Sequence, residues 1–274
     1  MPSKTKDKGS ARNGGGRSRD RRSSKALARA GTYGSSGGGI APIVLWTLAF
    51  AVVGALVIGA ALLFTQSNHS DSNALVTPPV STPANIAQSG RTLGVASAPV
   101  TIDLYGDFRC SACYRFTMQG TEQQLIDNYV ATGKARIVWH DRLVIDQLSG
   151  GTASRDAANA AWCGADQDKF WVMHDWLYAN QSPTEDASAF TQSRLLDIGR
   201  AAGLDMTRYQ ACVQNGTHDA AITAEDNSEK ATITGTPTIM VGGARAGAEG
   251  TVPSYDEIKS LVDQALANPS PSPS

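Results

Sequence analysis

The chain has 274 residues, 41% of them hydrophobic, and its 24 Lys and Arg side chains nearly balance 25 Asp and Glu side chains, for a formal net charge of −1. This length and apolar fraction suffice for one or two packed domains. Residues 1–39 carry ten basic and two acidic side chains, a net charge of +8, which leaves −9 for the remaining 235 residues. An acidic body repels phosphate, which excludes a basic nucleic-acid-binding domain.

The N-terminal part of the chain divides into two segments. Residues 1–39 are rich in Gly, Ser and Arg with almost nothing apolar, so we expect a disordered segment. Residues 40–64 are 25 positions without a charge. A helix of that length crosses the roughly 30 Å hydrocarbon layer, whereas a signal peptide has an apolar region of about 7–15 residues. We therefore predict an uncleaved transmembrane helix rather than a signal peptide, with the basic end cytoplasmic and all later residues outside.

The remaining chain is predicted to contain one folded domain. Residues 65–88 are rich in Pro, Ser and Thr and suit an extended linker, and residues 268–274 suit a disordered tail. Between them, residues 89–267 have the length of one domain, and their apolar patterns and turn signals predict mixed α/β structure. The predicted order is a strand at 98–106, a helix ending near 133, a strand at 135–139, short helices at about 152–231, a strand at 236–241, a turn at 242–243 and a helix at 254–267.

All four cysteines lie beyond the predicted span, in a compartment where disulfides persist. Cys110 and Cys113 are separated by two residues, where the first predicted strand gives way to a helix. A thiol at a helix N-terminus faces free N–H groups and the positive end of the helix dipole, which lower its pKa. A second cysteine one turn later is close enough to resolve a mixed disulfide. This pattern predicts a redox pair, with Cys110 as the exposed nucleophile and Cys113 as the more buried resolving thiol.

A structural disulfide and half of a zinc site are the alternative interpretations of this pair. Zinc needs a second close pair or nearby histidines, but Cys163 and Cys212 are 49 residues apart and no histidine lies within a few residues of Cys110. Redox chemistry is therefore favoured. Cys163 and Cys212 lie in predicted helices, so the simpler interpretation is a structural disulfide across the helical block. A second redox pair is the alternative.

Several further segments accompany the cysteine pair in a fixed order. They are Ala98-Pro99-Val100-Thr101-Ile102, Gly106-Asp107-Phe108-Arg109-Cys110, Lys169-Phe170-Trp171 with Met173-His174-Asp175, Asn180-Gln181 and Gly235-Thr236-Pro237-Thr238. In this order they resemble the DsbA-like thioredoxin-fold family, of the membrane-anchored extracytoplasmic type, over nearly all of residues 89–267. The resemblance implies an α/β fold with a thioredoxin-like core and a helical insertion, preceded by a single transmembrane helix. The excess of Arg over Lys, 16 to 8, indicates a GC-rich, actinobacterial type of source.

The resemblance also implies roles for residues outside the cysteine pair. Pro237 is expected to be a cis-proline that faces the cysteines, and Thr236 to present its backbone for pairing with a substrate. The strongly oxidising family members carry His or a bulky residue with Pro between the cysteines, whereas this chain has Ser111 and Ala112 there. Neither residue is charged, so stabilisation of the thiolate must come from the helix terminus and the surrounding groups.

Three other polar residues admit two interpretations each. Asp107 precedes the predicted helix and is interpreted as a turn former, with a role in proton transfer as the alternative. His140 and His174 are interpreted as packed or surface imidazoles rather than proton shuttles.

Together these features predict a single-pass plasma-membrane protein with a thiol–disulfide oxidoreductase domain outside the membrane. In the oxidase direction, a substrate thiolate attacks Cys110 of the Cys110–Cys113 disulfide. The expected partners are exported proteins with free cysteines and, as the resemblance implies, a quinone-linked membrane thiol oxidase. No cofactor, metal or nucleic acid is predicted. The same site suits a reductase or an isomerase, and a binding or chaperone module with structural cysteines is the alternative of a different class.

Overall fold

The computed structural model of this chain describes Gly54 and residues 74–268. The predicted basic segment and the predicted transmembrane helix, apart from the helical Gly54, lie outside these described residues, as does the tail after residue 268. Within the part described, no helix combines the length and apolar character that crossing a bilayer requires.

A six-stranded sheet forms the centre of the folded unit, in the order β1-β2-β4-β3-β5-β6. The two longest strands, β3 and β4, run parallel, and the other neighbouring strands are antiparallel. Both long strands alternate buried and partly exposed residues, which is the period of two expected of strands. The strands are β1 (Gln88–Ser89), β2 (Thr92–Leu93), β3 (Val100–Gly106), β4 (Ala135–Asp141), β5 (Thr238–Val241) and β6 (Ala244–Arg245).

Helices follow β3, fill the connection between β4 and β5, and end the folded unit. A π-helical turn at Ile126–Val130 continues α2, and a 3₁₀ turn spans Ala187–Phe190. The α-helices of the described residues are α1 (Ser111–Met118), α2 (Thr121–Leu125), α3 (Val144–Ser149), α4 (Ala153–Ala165), α5 (Phe170–Ala179), α6 (Gln192–Ala201), α7 (Met206–Asn215), α8 (Asp219–Glu229) and α9 (Tyr255–Ala267).

The insertion consists of α4 to α8 and corresponds to the helical block predicted at about 152–231. Helix α4 packs against α5, α7 and α8, and four of its alanines are fully buried. Small side chains at such contacts allow helix axes to approach closely, which explains the alanine-rich sequence of α4. The predicted α/β core with a helical insertion is therefore confirmed. The four alanines are Ala157, Ala158, Ala160 and Ala161.

A buried ion pair fastens the insertion to the sheet. Arg142, which directly follows β4, is 1% exposed and pairs with Asp226 of α8. Arg142 Nε also donates to the carbonyl of Ile233 over 2.8 Å. Asp226 Oδ1 accepts the backbone N–H of Leu143 over 2.8 Å. Buried charges are tolerated when they are paired and hydrogen-bonded, and both members of this pair meet that condition.

The predicted linker at 65–88 differs from the structure in its second half. Residues 74–83, which we call the strap, lie against the C-terminal half of α5. The N–H of Val76 donates to Asn180 Oδ1, and the Asn180 amide donates to the Val76 carbonyl, both over 2.8 Å. The N–H of Thr82 donates to Asp175 Oδ2 over 2.6 Å. The proline-rich composition suits an extended conformation, but side chains of the insertion satisfy its backbone groups, so the strap belongs to the folded unit.

Candidate active site

The cysteine pair lies at the N-terminus of α1, just after β3 ends. Gly106 closes β3 against the ring of Trp139, and a Cβ at this position would lie 2.1 Å from that ring, so only glycine fits. In the following turn, the N–H of Arg109 donates to Asp107 Oδ1 over 2.8 Å, and the N–H of Cys110 donates to the Asp107 carbonyl over 3.0 Å. Cys110 then caps α1 in an extended conformation. The cysteines thus occupy the predicted junction between strand and helix.

The loop before β5 lies directly opposite the cysteines. Strand β5 pairs antiparallel with β3, with Thr238 beside Tyr105, so residues that precede β5 come next to residues that follow β3. The Thr236–Pro237 peptide bond is cis, as the resemblance implies. The Cys110 thiol donates a hydrogen bond to the Thr236 carbonyl over 3.3 Å. The sheet register therefore brings the expected substrate-binding loop against the expected nucleophile.

The two thiols differ in acidity. Hydrogen bonding from the Cys113 thiol lowers the pKa of Cys110 to about 6 against the opposing effect of burial, and the Thr236 hydroxyl and the N–H groups of Cys113 and Ala112 also lower it. Burial raises the pKa of Cys113 well above its ordinary value, and the adjacent Cys110 raises it further. At neutral pH the reduced pair is therefore a Cys110 thiolate beside a Cys113 thiol, which is the arrangement of a nucleophile and its resolving partner.

Cys110 is less accessible than the sequence analysis predicts. We expected an exposed nucleophile, but Cys110 is 5% exposed and Cys113 is 2% exposed. The Thr236 carbonyl lies against the Cys110 sulfur, and the Glu185 carboxylate lies against the N–H of Ser111. The Thr236 carbonyl comes from a part of the chain 126 positions from Cys110, so a local pattern cannot reveal this contact. The prediction of an exposed Cys110 is therefore wrong, whereas Cys113 is the more buried of the two, as predicted.

Asp107 is a buried carboxyl group in the turn before the cysteines. It is 3% exposed, and its two oxygens accept the N–H groups of Arg109 and Ile145 over 2.8 and 2.9 Å. Burial raises the pKa of Asp107 to about 7, although these N–H groups lower it, and the Cys110 thiolate contributes to the rise. Asp107 thus forms the turn as interpreted, and it also titrates near neutral pH next to the redox pair.

Glu185 is a site residue that sequence reasoning missed. It lies in the loop between α5 and the 3₁₀ turn, and its Oε1 accepts the N–H of Ser111, the first residue of α1, over 2.9 Å. Its backbone carbonyl accepts Arg109 Nη2 over 2.7 Å, and Arg109 Nη1 pairs with Asp146 over 2.7 Å. The turn signal at Ser182 and the proline after it indicated a loop but not what the loop contacts.

A cavity of about 330 Å³ opens beside the N-terminal half of α1. It lies next to the cysteine pair, because Ser111 is among the residues that line it. The cavity is bounded on one side by α1 and on the other by the end of α5 and the loop that follows. Its lining residues are Ser111, Tyr114, Arg115, Ala179, Gln181 and Pro183.

Comparison with known proteins identifies the family of this site. The family model described as "Thioredoxin" matches residues 87–264, a range that includes both cysteines of the pair and the cis-proline. The chain belongs to the thioredoxin family.

Curated relatives of this thioredoxin-family chain include proteins of two kinds. "Probable disulfide bond formation protein D" of Bacillus cereus is 26% identical over 179 residues, covering 64% of this chain and 78% of that protein. "Na(+)/H(+) antiporter NhaA 1" of Salinispora arenicola is 29% identical over 153 residues, or 56% of this chain. The chain spans only 21% of the length of that second relative.

Solved structures show the same thioredoxin-like fold. The oxidised BdbD from Bacillus subtilis has a TM-score of 0.57 at 24% identity, covering 67% of this chain and 100% of that chain. The DsbA of Chlamydia trachomatis has a TM-score of 0.53 at 18% identity, covering 70% and 97%. In sequence and fold, this thioredoxin-family chain is similar to DsbA-like thiol–disulfide oxidoreductases.

His174 is a core residue of this thioredoxin-family domain. It is 0% exposed, with Nδ1 3.1 Å from Asp175 and Nε2 3.8 Å from Glu122. Its ring packs edge-to-face against Tyr178 and Trp139 at centroid distances of 4.9 and 5.1 Å. Burial lowers the pKa of His174, but the carboxylates of Glu122 and Asp175 raise it by more, so the pKa lies above its ordinary value. The imidazole is thus packed, as interpreted, within a buried ionic cluster.

His140 lies on β4 and is part of a separate ion-pair network. Its Nε2 is 3.0 Å from Asp103, and its Nδ1 is 3.3 Å from Glu225. Burial lowers the pKa of His140, but hydrogen bonds to Asp103 and Glu225 outweigh this effect and raise the pKa to about 9. Arg91 also pairs with Glu225 over 2.7 Å. The network ties α8 to the sheet, which supports the interpretation of His140 as a packed residue.

The other two cysteines form a disulfide within the insertion. Cys163 of α4 and Cys212 of α7 are joined, with Cα atoms 5.8 Å apart. Cys163 is 1% exposed and Cys212 is 9% exposed. In the described part of this thioredoxin-family chain, these two sulfurs and His218 form a group of metal-ligating side chains whose ligand atoms lie within 4.8 Å of one another.

Proposed function

We propose that this chain is an extracytoplasmic, membrane-anchored oxidase that forms disulfide bonds in exported proteins. Anchoring is assigned to residues 40–64, which are apolar and uncharged. The basic residues 1–39 support an orientation with the N-terminus in the cytoplasm and the oxidoreductase domain outside the plasma membrane. The Bacillus relatives are named for disulfide bond formation, which supports the oxidase direction.

The acidity of Cys110 is the observation that carries this proposal. A nucleophilic cysteine with a pKa of about 6 is a thiolate at neutral pH, so the reduced form of the pair is stabilised. A stabilised reduced form makes the corresponding disulfide a stronger oxidant, because oxidation of a substrate generates that form. The Cys110–Cys113 disulfide is therefore suited to accept two electrons from a substrate dithiol.

The reaction proceeds through a mixed disulfide. A substrate thiolate attacks Cys110 Sγ, the Cys110–Cys113 bond breaks, and Cys113 leaves with the electron pair and takes a proton, since its pKa is raised. The second thiolate of the substrate then attacks the substrate sulfur of the mixed disulfide, and Cys110 leaves as a stable thiolate. The substrate has then lost two electrons, which reside on the enzyme dithiol. The backbone at Thr236 lies at the Cys110 sulfur, where it holds the substrate segment.

The partners of this cycle are defined by its chemistry. Substrates are exported proteins with free cysteines, because they emerge reduced into an oxidising compartment. The reduced Cys110–Cys113 pair must pass its electrons on, and a quinone-linked thiol oxidase in the same membrane is the acceptor we propose. No nucleic acid takes part, since the chain outside residues 1–39 is acidic.

The reduction potential of the Cys110–Cys113 pair tests the direction of the reaction. The full chain in detergent is equilibrated with glutathione buffers, and the redox state of Cys163 and Cys212 is followed separately. We expect a value between about −120 and −200 mV, the range of known disulfide donors and isomerases. A value near thioredoxin's potential of about −270 mV means a reductase, and one below about −300 mV means a structural disulfide and overturns the proposal.

The proposed location has its own test. A membrane-impermeant thiol reagent added to intact cells should label reduced Cys110, and the protein should remain in the membrane fraction after a high-salt wash. A Cys110→Ser variant provides the labelling control. Recovery of the protein in the soluble fraction contradicts the anchor, and labelling only after lysis contradicts the orientation.

A further inference from the structure

Three side chains of types that bind metals lie together at the insertion disulfide, and a fourth, Asp166, contacts two of them. They belong to two short sequence pairs: Cys163 with Asp166 at the end of α4, and Cys212 with His218 at the end of α7. Ligand atoms of Cys163, Cys212 and His218 all lie within 4.8 Å of one another. Asp166 Oδ2 lies 2.9 Å from His218 Nε2 and 3.8 Å from Cys212 Sγ.

The chemistry and spacing of this set suit zinc. Thiolate sulfur, imidazole nitrogen and carboxylate oxygen are its ordinary ligands, and structural zinc sites are tetrahedral. Zinc sites also draw their ligands from pairs only a few residues apart. Both pairs meet that condition, with two residues between Cys163 and Asp166 and five between Cys212 and His218.

Neighbouring groups hold the ligands in place. The backbone N–H of His218 donates to Asn159 Oδ1 over 2.9 Å, and its ring lies 5.4 Å from the Trp162 ring. The N–H and the hydroxyl of Thr217 both donate to the Cys212 carbonyl over 3.2 Å. Supporting contacts of this kind orient ligands and strengthen metal binding.

The site is open on one side. Both sulfurs are buried, but the side chains of His218 and Asp166 are 20% and 48% exposed. A metal ion therefore has an entry path past the imidazole and the carboxylate, as a buried site requires.

We propose that Cys163, Asp166, Cys212 and His218 form a zinc site once the disulfide is reduced. A dithiol reductant transfers two electrons to the Cys163–Cys212 bond, which breaks and gives two thiols, while the reductant becomes a disulfide. Binding of Zn²⁺ releases the two thiol protons and forms two metal–thiolate bonds. Zinc takes the place of the hydrogen between His218 Nε2 and Asp166 Oδ2, and the ring proton lies on Nδ1.

The site gives the insertion two alternative cross-links between α4 and α7. The disulfide joins α4 to α7 when the pair is oxidised, and the metal joins the same helices when the pair is reduced. Because metal bound only by the folded chain stabilises it, the insertion keeps its helix packing through a cycle of reduction. The redox state of Cys163 and Cys212 thus governs metal binding at a site separate from the catalytic pair.

Metal titration of the full chain in detergent tests this inference. Cys110 and Cys113 are replaced by Ala to remove competing thiols, and the protein is reduced with a phosphine that does not bind zinc tightly. We expect one equivalent of Zn²⁺ to bind to the reduced protein and none at this site in the oxidised protein. Co²⁺ as a probe should give the visible bands of a tetrahedral site with sulfur ligands.

Substitutions of the non-cysteine ligands separate this site from adventitious binding. Asp166→Asn and His218→Asn should each weaken zinc binding about tenfold or more, since even groups that only support metal ligands contribute roughly 10–100-fold. Asp197→Asn, on the exposed surface of α6, is the matched control and should leave binding unchanged. Binding that is indifferent to Asp166 and His218 overturns the proposal.

Folding of the reduced protein is measured in parallel by circular dichroism. If the reduced protein stays folded and takes up no zinc, the proposal is wrong. If it unfolds without metal, zinc must restore the helical signal, and failure to do so also rejects the site.

Discussion

The Cys110 sulfur lies among groups that affect its charge in opposite directions. The buried Thr236 hydroxyl has no other hydrogen-bond partner in the described structure, so it can donate to the thiolate and lower the pKa of Cys110. We expect Glu185 to act in the other direction, because its carboxylate accepts the N–H of Ser111 at the N-terminus of α1. A negative group at that terminus offsets the helix dipole that stabilises the thiolate. Glu185, a residue of the insertion, is therefore expected to raise the pKa of Cys110.

Replacing Glu185 by Gln should lower the pKa of Cys110 further below its ordinary value. Gln keeps the hydrogen bond to Ser111 but removes the negative charge. Charges at a helix terminus contribute about 0.3–1 kcal/mol, which corresponds to a few tenths of a pH unit. The measurement is a pH titration of the ultraviolet absorbance of the thiolate in reduced protein with the Cys163–Cys212 disulfide intact.

Thr236→Val is a control in which the pKa of Cys110 should change in the opposite direction. Val keeps the β-branched shape and the backbone carbonyl but removes the hydroxyl, so the pKa of Cys110 should rise. If both substitutions move the pKa in the same direction, the opposed roles given to Glu185 and Thr236 are wrong.

At the residue scale, the sequence is informative where the signal is local. Cys110 and Cys113 are three positions apart and mark themselves by spacing and by their place at the end of a strand. Glu185 contacts Ser111 across 74 positions, and no feature of its own neighbourhood in the sequence indicates that contact. The same distance explains why the low accessibility of Cys110 was not foreseen.

At the scale of elements, the strap is a part of the domain that depends on a few side chains. Asn180, which caps the C-terminus of α5, makes two hydrogen bonds with the backbone of Val76 and one with the carbonyl of Trp176. This one side chain therefore makes two of the hydrogen bonds that join the strap to the insertion, and Asp175 accepts another from the N–H of Thr82. The strap also lies beside the buried carboxylates of Glu122 and Asp175.

Asn180→Ala should release the strap. We expect faster hydrogen exchange at the N–H of Val76 and a fall of about 1–3 kcal/mol in the free energy of unfolding, since each lost hydrogen bond costs about 1 kcal/mol. Hydrogen-exchange mass spectrometry and urea unfolding are the measurements.

Asn128→Ala is the matched control for this variant. Asn128 donates to the carbonyl four residues earlier, as Asn180 does, but on an exposed surface away from the strap. Its substitution should leave exchange at Val76 unchanged. Equal effects of the two variants would mean that the strap is held by other contacts.

The order of elements was predicted well because strands β3 and β4 and the long helices carry clear periodicity. The two-residue strands β1 and β2 have no period to detect, and their pairing with β4, such as Thr92 beside Val138, is a tertiary contact. The strap was assigned to the linker for a related reason. Its prolines suit an extended spacer, and its partners lie about a hundred positions away.

At the scale of the whole molecule, several buried acids titrate above their ordinary range. Burial raises the pKa of Asp107 to about 7 and that of Asp141 to about 6, and it also raises the pKa of Glu122. A carboxyl group whose pKa is higher in the folded state contributes stability at low pH, which is lost as the pH rises through the folded value. The raised pKa of His140, about 9, acts in the same direction up to that pH.

The oxidised protein should therefore be most stable near about pH 5 and lose stability steadily towards pH 9. Below that maximum, carboxylates with lowered pKa values lose their partners. Glu225 is one example. Burial raises its pKa, but His140 and Arg91 lower it by more, so the pKa of Glu225 lies below its ordinary value. The measurement is urea unfolding at a series of pH values between 4 and 9, with the same dependence of the unfolding free energy on urea concentration used at each pH.

A variant with Asp107→Asn tests the cause. Asn does not titrate, so the decline in stability between about pH 5 and 7 should become shallower. A curve that rises from pH 5 to pH 8, or one that Asp107→Asn leaves unaltered, contradicts this account.

The buried ionic groups also have a consequence for temperature. His174 with its two carboxylates and the Arg142–Asp226 pair are sealed from water. Water solvates charges less favourably as it warms, so the free-energy cost of keeping these groups dry diminishes on heating. The apolar contribution behaves differently, because it weakens in the cold. Cooling therefore acts against both parts of this core at once, and the temperature of maximum stability should lie higher than for a domain of the same size with a purely apolar interior.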